Sequence, residues 1–433
     1  MRSHHRPYFR EFDPASVPSP CFVVDRAAVR WNLQVLQEIG ERSGAKVLIA
    51  LKAFALPAVF DLIRTHLDGA CASGLHEARF AREQMEATGD RSVHTYSPAY
   101  KPEEFEDILQ LSDHVIFNSL GQWSRFRNQC LSARAAGNPV VFGLRVNPEC
   151  PTSDVALYDP CAPGSRLGMT EVELRKATGE AGGTGRSSAA MEAVEGGRLP
   201  REIEELHIHT LCEDDSLALE STLDALEDRF GDFLRSERIT TLNLGGGHHI
   251  TRPDYDRDHL VQLIQRTKQR YSVDVILEPG EAVALGSGVL VSTVLDVGRN
   301  RIPHAILDTS ATTHMPDVLE MPYRPHVWNT TDPGEIDLSS ELDDDDHGFV
   351  YRLGGQSCLA GDVIGDYCFE KPLQPGDRII LDDMSHYTMV KTTTFNGVPL
   401  PAIAVYDSEA DSAGERLTVV RRFGYDEFRR RLG

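Results

Sequence analysis

A single lysine ends a run of apolar residues near the start of the chain. The run Val47-Leu48-Ile49-Ala50-Leu51 precedes Lys52, and this pattern is typical of a buried strand with the lysine at its end. Burial disfavours the charged form of a lysine, so we expect the pKa of Lys52 to be lowered. A neutral amine is the form that joins an aldehyde as a Schiff base. The alternative is a lysine that extends from the strand end into water.

Two further strand ends carry residues that could bind a ligand. Gly245-Gly246-Gly247 follows the apolar run Thr241-Leu242-Asn243-Leu244. Glycines in this position let backbone N–H groups surround a phosphate, although a tight turn would also use them. Glu278, followed by Pro279-Gly280, ends another apolar run. Its carboxylate could pair with a protonated ring nitrogen or with an arginine.

Four histidines offer a choice between ring stacking and metal binding. His207 and His209 lie on the same side of one predicted strand, because side chains alternate along a strand. The imidazole of His209 could stack against a flat cofactor ring. Together with His248 and His249, the same pair could instead bind zinc, since His-x-His can chelate this ion.

Among the cysteines, Cys358 is the candidate for contact with a ligand. Glycines and small residues flank it, so its sulfur could approach a ligand closely; the alternative is a buried cysteine that packs as a small hydrophobe. The eight cysteines show no paired spacing, which is typical of reduced thiols in the cytosol.

The composition excludes some partners. The 433 residues include 44 basic and 66 acidic side chains, giving a formal net charge of −22. Nucleic acid is a poor partner for so acidic a surface, whereas a cationic small molecule would be attracted; charge that merely maintains solubility is an equal alternative. No apolar run is long enough to cross a membrane, and the N-terminus lacks the apolar stretch of a secretory signal. We therefore expect a cytoplasmic protein without a membrane partner.

The elements that position these residues alternate between strands and helices from Val47 to Glu278. Helical patterns such as Val29-Leu33-Leu36 and Leu223-Leu226-Phe230 separate the apolar runs. Eight candidate strands begin near Val47, Ala70, Val93, Val115, Val141, Leu206, Thr241 and Val273. This alternation predicts a (β/α)8 barrel. Polar or glycine residues follow nearly every strand, at the end of a barrel where active sites are built: Lys52, Ser73 with Glu77, Ser97, Asn118, Arg145 with Asn147, His209, Gly245-Gly246-Gly247 and Glu278.

A second, mostly β domain is predicted from the remaining chain. Runs such as Val289–Val294 and Arg378–Leu381 are bounded by Gly, Pro and Asp, as antiparallel strands are, and Cys21–Val24 adds another strand. We place the barrel at residues 28–288 and a β-sandwich domain at residues 1–27 and 289–433. Thr178–Arg198 is predicted to be a flexible insertion, and the acidic run Asp343–Asp346 a solvated loop.

Taken together, these residues resemble the fold-type III pyridoxal-phosphate decarboxylases, which include ornithine, arginine and diaminopimelate decarboxylases. Over longer stretches, the sequence is similar to the carboxynorspermidine/carboxyspermidine decarboxylases of that group. The matching stretches are Leu51–Phe54, Tyr96–Lys101, Asp159–Gly168, His207–Glu213, Asn243–Thr251, His314–Glu320 and His386–Thr392. The resemblance covers nearly the whole chain and implies an alanine racemase/ornithine decarboxylase-like fold, pyridoxal 5'-phosphate as cofactor, and a homodimer with shared active sites.

The resemblance also implies a role for each matching residue. Those that would contact the cofactor are Lys52 as the Schiff-base lysine, His209 stacked on the ring, Gly245, Gly246 and Gly247 at the phosphate, Glu278 at the ring nitrogen, Tyr387 near the phosphate, and Arg145 in the surrounding network. Cys358 would reach the site from the partner subunit and protonate the substrate carbon after CO2 has left. The reaction would convert carboxynorspermidine or carboxyspermidine to norspermidine or spermidine.

One position departs from the ornithine-type pattern. An arginine follows Glu-Pro-Gly in those enzymes and helps to hold the phosphate, whereas Glu281 stands here. A carboxylate would suit the amine groups of a long cationic substrate, a carboxylated triamine, and Asp317 is a second candidate for that task. Structural pairing is the alternative for both. Other functions left open are a decarboxylase for diaminopimelate or another amino acid, a metal-dependent barrel hydrolase, and a non-catalytic pyridoxal-phosphate carrier.

Overall fold

The computed structural model describes residues 8–9, 11–86, 91–153, 157–179, 198–236, 238–334 and 348–433. The chain divides into two compact units. One, the barrel unit, comprises Asn32–Val283; the other, the sheet unit, comprises Met1–Trp31 and Ala284–Gly433. The predicted insertion at Thr178–Arg198 lies almost wholly outside the described residues, and the acidic run Asp343–Asp346 lies entirely outside them.

Eight parallel strands close into a barrel, as predicted. They are Lys46–Ala50, Gly69–Ala72, Ser92–Tyr96, His114–Phe117, Val141–Arg145, Ile203–His207, Thr241–Asn243 and Asp274–Leu277. The sixth strand starts at Ile203, before its predicted start near Leu206. The sequence pattern missed this start because Glu204 and Glu205 interrupt the apolar run there. Glu205 is nevertheless completely buried.

Helices follow the barrel strands and cover their outer faces. They are Arg26–Ser43 before the first strand, then Phe60–His66, Leu75–Met85, Phe105–Leu111, Leu120–Ala135, Glu171–Thr178, Ser216–Leu234 and Arg257–Tyr271. Several begin at side chains that accept hydrogen bonds from the first turn, including Ser119, Asp215 and Asp256. These caps satisfy backbone N–H groups that would otherwise lack partners, and they fix where each of these helices begins.

The described part of the sheet unit contains nine strands in one hydrogen-bonded sheet. They are Cys21–Asp25, Gly288–Asn300, Ile302–Leu307, Thr330–Thr331, Phe349–Gly354, Val363–Phe369, Arg378–Asp382, Ala402–Tyr406 and Leu417–Arg421. Short α-helices lie at Glu281–Ala284, Ala311–His314, Asp317–Glu320, Ala413–Arg416 and Tyr425–Leu432, and 3₁₀ helices at Met389–Lys391 and Phe395–Gly397. The barrel and the mostly β second domain are therefore confirmed.

The N-terminal strand lies in the middle of this sheet. Cys21–Asp25 pairs antiparallel with Gly288–Asn300 and parallel with Ala402–Tyr406. Phe22 packs into one apolar core, while Cys21 and Val23 pack into another. Alternate residues thus serve the two faces of the sheet.

The unit boundaries fall near, but not at, the predicted residues 28 and 288. Helix Arg26–Ser43 runs across the first boundary. Arg30, in its second turn, pairs with Asp407 and Glu409 of the sheet unit, whereas the amide of Asn32 donates to the carbonyl of Val283 over 3.0 Å. Among the described residues, no helix is long and apolar enough to cross a membrane.

Candidate active site

Lys52 lies two residues beyond the first barrel strand, as predicted, and its side chain is accessible to solvent. Protein atoms nonetheless surround the depression that holds it, and this partial loss of hydration lowers the pKa of the amine. Cys71 opposes the shift, Arg145 adds to it, and Glu278 again opposes it. The three residues come from other strands or strand ends, so the amine faces the mouth of the barrel.

Glu278 follows the eighth strand and is 7 % exposed. Burial alone would raise the pKa of its carboxyl group, but hydrogen bonds from His207 and Asn243, together with the charge of Lys52, hold that pKa below its usual value. Nδ2 of Asn243 donates to Oε1 over 2.8 Å, and Nε2 of His207 lies 3.4 Å from Oε2. The carboxylate is therefore ionised at neutral pH and ready to receive a proton donor.

His209 follows the sixth strand, and its ring orientation is fixed by the glycine run. The backbone N–H of Gly246 donates to Nδ1 of His209 over 3.1 Å, so this nitrogen carries no proton. Burial, followed by the charges of Lys52 and Arg145, lowers the pKa of the imidazole well below its ordinary value. The ring is thus neutral. Its flat face could stack against a planar ligand.

The three glycines pack too closely against neighbouring strand ends to carry side chains. A Cβ on Gly245 would lie 2.5 Å from the carbonyl oxygen of Ile208, one on Gly246 would lie 2.3 Å from that of Glu278, and one on Gly247 would lie 1.9 Å from that of Leu211. Gly245 and Gly247 also have φ values of +67° and +82°, which favour glycine. This close approach goes beyond a simple tight turn and leaves a small, backbone-lined surface at the barrel mouth.

Arg145 is the last residue of the fifth strand and is 5 % exposed. Its guanidinium donates to the carbonyl of His209 over 3.0 Å and lies 4.7 Å from the ring centre of Tyr96. The hydroxyl of Tyr96 donates in turn to Oδ1 of Asn118 over 2.7 Å. The ends of strands three to six are thereby linked around His209.

The four-histidine metal set is not brought together. Among the described residues, His207 and His209 approach Glu278 within metal-ligand range, but His248 and His249 join no such group. Nδ1 of His248 lies 3.3 Å from the hydroxyl of Tyr255. Nε2 of His249 lies 3.1 Å from Oε2 of Glu281. The sequence pattern failed here because His248 and His249, adjacent in the chain, point to different neighbours.

Glu281, the position that departs from the ornithine-type pattern, forms this pair with His249. Burial alone would lower the pKa of His249, but the carboxylate of Glu281 outweighs burial and raises it. The two side chains therefore form an ion pair in the barrel unit.

Three predicted site residues belong to the sheet unit. Cys358 is exposed, which contradicts the alternative of a buried structural cysteine, and its backbone N–H donates to Oδ1 of Asn396 over 2.8 Å. Tyr387 is half-buried with a φ of +52°, an uncommon and strained conformation for a bulky residue. Asp317 accepts a hydrogen bond from the ammonium of Lys391, which also contacts Glu320 at 2.7 Å.

Comparison with known proteins decides the family. The model of a family described as "Pyridoxal-dependent decarboxylase, C-terminal sheet domain" matches residues 21–385. The chain belongs to the pyridoxal-dependent decarboxylases. This membership makes it a decarboxylase and excludes the barrel hydrolase and the barrel-only carrier, since the chain also has the second domain.

Relatives within the pyridoxal-dependent decarboxylases match almost the full chain. Carboxyaminopropylagmatine decarboxylase of Synechocystis sp. is 43 % identical over 421 residues, covering 97 % of this chain and 96 % of that protein. Carboxynorspermidine/carboxyspermidine decarboxylase of Campylobacter jejuni is 38 % identical over 412 residues, covering 95 % and 98 %. The crystal structure of carboxynorspermidine decarboxylase complexed with norspermidine, also from C. jejuni, has a TM-score of 0.78 at 37 % identity and covers 96 % of this chain and 100 % of that one.

The residues present fit the cofactor of the pyridoxal-dependent decarboxylases. Lys52 offers an accessible amine with a lowered pKa, Glu278 an ionised carboxylate, and the glycine run a backbone surface that no side chain could share. All are in the barrel unit.

Two residues that contact Glu278 were not predicted to do so from the sequence. Asn243 binds Glu278, and it stands two residues before Gly245, on the alternating face that the strand directs inward. His207 also approaches Glu278, and its place two residues before His209 carried the same signal. Alternation along strands six and seven would have identified both.

Proposed function

We propose that this enzyme decarboxylates carboxynorspermidine, carboxyspermidine or a related carboxylated polyamine, releasing the polyamine and CO2. The observation that carries the proposal is full-length similarity to C. jejuni carboxynorspermidine/carboxyspermidine decarboxylase, whose relative of known structure binds norspermidine. Diaminopimelate decarboxylase structures, at 16–18 % identity, support the fold alone.

The proposed roles follow from the chemistry of each side chain. When bound, pyridoxal phosphate supplies an aldehyde that an amine can join and a ring that accepts the electron pair left by CO2. Lys52 would hold the cofactor before substrate arrives, because its lowered pKa increases the fraction of reactive amine. Glu278 would receive the N–H of the ring and keep that nitrogen protonated.

The remaining barrel residues would fix the position of the cofactor. Gly245, Gly246 and Gly247 would border its phosphate, and Tyr387 is proposed as a further phosphate contact on the family resemblance alone. His209 would lie against the ring face, and Arg145 would hold the backbone of His209 in place through the bond to its carbonyl.

Lys52→Ala tests the first step of this proposal. The variant should lose the visible absorbance of the covalently held cofactor and nearly all CO2 release. Lys46→Ala is the matched control, because Lys46 is exposed at the opposite end of the same strand. Normal absorbance and turnover in Lys52→Ala would refute the proposed function.

Glu281 and Asp317 are proposed to hold the cationic tail of the substrate. Each carboxylate is already paired with a cation, Glu281 with His249 and Asp317 with Lys391. A substrate amine would therefore compete with these cations for the two carboxylates. The overall charge of −22 would further draw a polyamine towards the protein.

A guanidino substrate is the second candidate, because the carboxyaminopropylagmatine decarboxylase of Synechocystis is 43 % identical. A guanidinium binds a carboxylate through two parallel hydrogen bonds, whereas an ammonium acts as a compact charge. Sequence reasoning did not include this substrate.

A CO2-release assay separates the candidates. Carboxynorspermidine, carboxyspermidine, carboxyaminopropylagmatine, diaminopimelate and ornithine should be compared by kcat/KM on one enzyme preparation. We expect a carboxylated triamine to be the best substrate. A higher kcat/KM for carboxyaminopropylagmatine would assign the second candidate, and one for diaminopimelate would refute both.

We also propose a cytoplasmic homodimer in which Cys358 reaches the site of the other subunit. Cys358 is exposed in the single chain, and Leu359 and Phe395 beside its loop are each 44 % exposed. A second copy that covers these apolar side chains would remove them from water. Cys358 would then be placed to protonate the substrate carbon.

A further inference from the structure

The interior of the barrel below Glu278 is unusually polar. Barrel interiors are usually filled by branched aliphatic side chains. Here His94, His207, Glu205 and Asn243 are each no more than 1 % exposed. Burying polar and charged groups is unfavourable unless they are bonded to one another, so their arrangement requires a reason.

A continuous set of contacts joins Glu278 to the opposite end of the barrel. Nδ2 of Asn243 donates to Oε1 of Glu278 over 2.8 Å and also to Oε1 of Glu205 over 3.2 Å. Oε2 of Glu205 lies 2.6 Å from Nδ1 of His114, the first residue of the fourth strand. One amide group thus bridges two buried carboxylates.

The orientation of the Asn243 amide is determined by its neighbours. Its Oδ1 accepts the backbone N–H of Gly245 over 2.9 Å, so the NH2 group must face the two carboxylates. Rotation of this amide would place an oxygen against Glu278 and break all three bonds. Glu205 is the acceptor that holds the NH2 group from below.

The chain leaves space for Glu205 by using a glycine beside it. A Cβ on Gly143, the register partner of Glu205 on the fifth strand, would lie 2.5 Å from Cδ1 of Ile116 and 3.1 Å from Cβ of Glu205. His94 packs flat on His114, with ring centres 3.8 Å apart and planes 12° apart, and so fixes the ring that binds Glu205.

We propose that Glu205, held by His114, is a positioning residue that orients the Asn243 amide towards the cofactor-facing carboxylate of Glu278. The inference rests on the proposed role of Glu278. Without Glu205 the amide keeps its bond to Gly245 but loses its lower acceptor, and its bond to Glu278 weakens.

A metal ion does not explain the same cluster. His94, His114 and Glu205 lie within metal-ligand range of one another. The lone pairs of an imidazole lie in the plane of its ring, however, and two stacked, nearly parallel planes cannot direct them at one ion. Glu205 is therefore better explained as a hydrogen-bond acceptor.

Glu205→Leu and Glu205→Gln test the proposal. The leucine variant removes the acceptor, so kcat should fall about tenfold with KM unchanged, as is usual when an outer partner of a site residue is lost. Glutamine keeps an acceptor oxygen for Asn243 and should restore most of kcat. Gly143→Ala, which displaces Glu205 without removing it, should shift kcat in the same direction as the leucine variant.

A second measurement uses the cofactor-free protein. The NMR signal of the His207 ring, assigned by its loss in His207→Gln, should report the acid titration of Glu278 beside it. Both Glu205 variants remove the same charge, so they are compared with each other: the titration should lie at higher pH in Glu205→Leu than in Glu205→Gln, which keeps an acceptor for the Asn243 amide. The measurement is independent of turnover, so it stands even if the proposed substrate is wrong.

Thr95→Val is the matched control for loss of stability. Thr95 is completely buried on the third strand and bonds Ser112 over 2.7 Å, away from Glu278. Its variant should melt at a lower temperature while kcat and the titration of Glu278 stay unchanged. If Glu205→Leu behaves like this control, Glu205 is only structural and the proposal is overturned.

Discussion

The backbone N–H of Gly246 donates a hydrogen bond to Nδ1 of His209 over 3.1 Å. One bond therefore connects the glycine run after the seventh strand to the ring that follows the sixth. The loop proposed to border the phosphate and the ring proposed to lie on the cofactor cannot move independently.

Gly246→Ala should weaken cofactor binding. The new Cβ would lie 2.3 Å from the carbonyl oxygen of Glu278, so the loop would have to shift and its bond to His209 would break. We expect the Kd for pyridoxal phosphate to rise at least about tenfold, which corresponds to the loss of a single good contact. Titration of the cofactor-free protein measures it, with Gly121→Ala as control, where the nearest atom would be 3.7 Å away. Equal affinities for both variants would contradict the assigned phosphate surface.

The buried His248 should make the cofactor-free protein less stable in mild acid. Burial and, secondarily, the charge of His249 lower the pKa of His248 from 6.5 to about 4. Between these values the unfolded chain takes up a proton that the folded chain does not, so stability falls as the pH falls and this loss is complete below pH 4.

His248→Gln removes that proton uptake. The variant should lose less unfolding free energy between pH 7 and pH 4 than the wild type, by about 3 kcal/mol. Urea unfolding at several pH values measures it, with the surface variant His66→Gln keeping the wild-type slope. Parallel slopes for His248→Gln and the wild type would show that the folded chain binds this proton as readily as the unfolded chain, so that the pKa of His248 is not lowered.

Glu281→Gln should impair substrate binding rather than chemistry. The variant removes the negative charge proposed to hold the substrate tail, so KM should rise about tenfold while kcat stays close to the wild-type value. Glu220→Gln is the control, because Glu220 also lies beside a histidine, His259, at 3.5 Å, but on the barrel surface. A fall in kcat at constant KM would instead place Glu281 in the chemical step.

Cys358→Ala tests both the proton donor and the shared site. The variant should release the polyamine more slowly than the wild type, because the substrate carbon lacks its acid. Mixing equal amounts of it and Lys52→Ala should restore about a quarter of wild-type activity, since about half of all dimers are then mixed and each mixed dimer carries one intact site of two. No recovery after subunit exchange would mean that Cys358 serves its own chain.

The barrel could be predicted from the sequence because nearly every barrel strand is an apolar run that is followed by a polar residue or a glycine. The apolar run before Lys52 and the glycines after Leu244 both mark strand ends, and the structure places them at one end of the barrel. Glu205 was not foreseen, since a glutamate inside a strand is typical of an exposed face. Only the closed barrel, with Gly143 beside it, shows that this side chain points inward.

Side-chain contacts between residues that are far apart in the sequence could not be predicted either. The pair of Asp317 with Lys391 depends on how the sheet unit folds, and no local pattern indicates it. The same holds for the bridge from Glu205 through Asn243 to Glu278, which spans three strands.

The central place of strand Cys21–Asp25 sets the order in which this protein can be assembled on the ribosome. Its neighbours, Gly288–Asn300 and Ala402–Tyr406, are made hundreds of residues later, so the strand has no partner when it emerges. The barrel strands pair mostly with the next strand in sequence and can do so while synthesis continues, and only the closing pair of Lys46–Ala50 with Asp274–Leu277 must wait for the last barrel strand. An unpaired apolar strand must therefore be kept from other chains until synthesis is nearly finished, and contacts of such long sequence separation are slow to form.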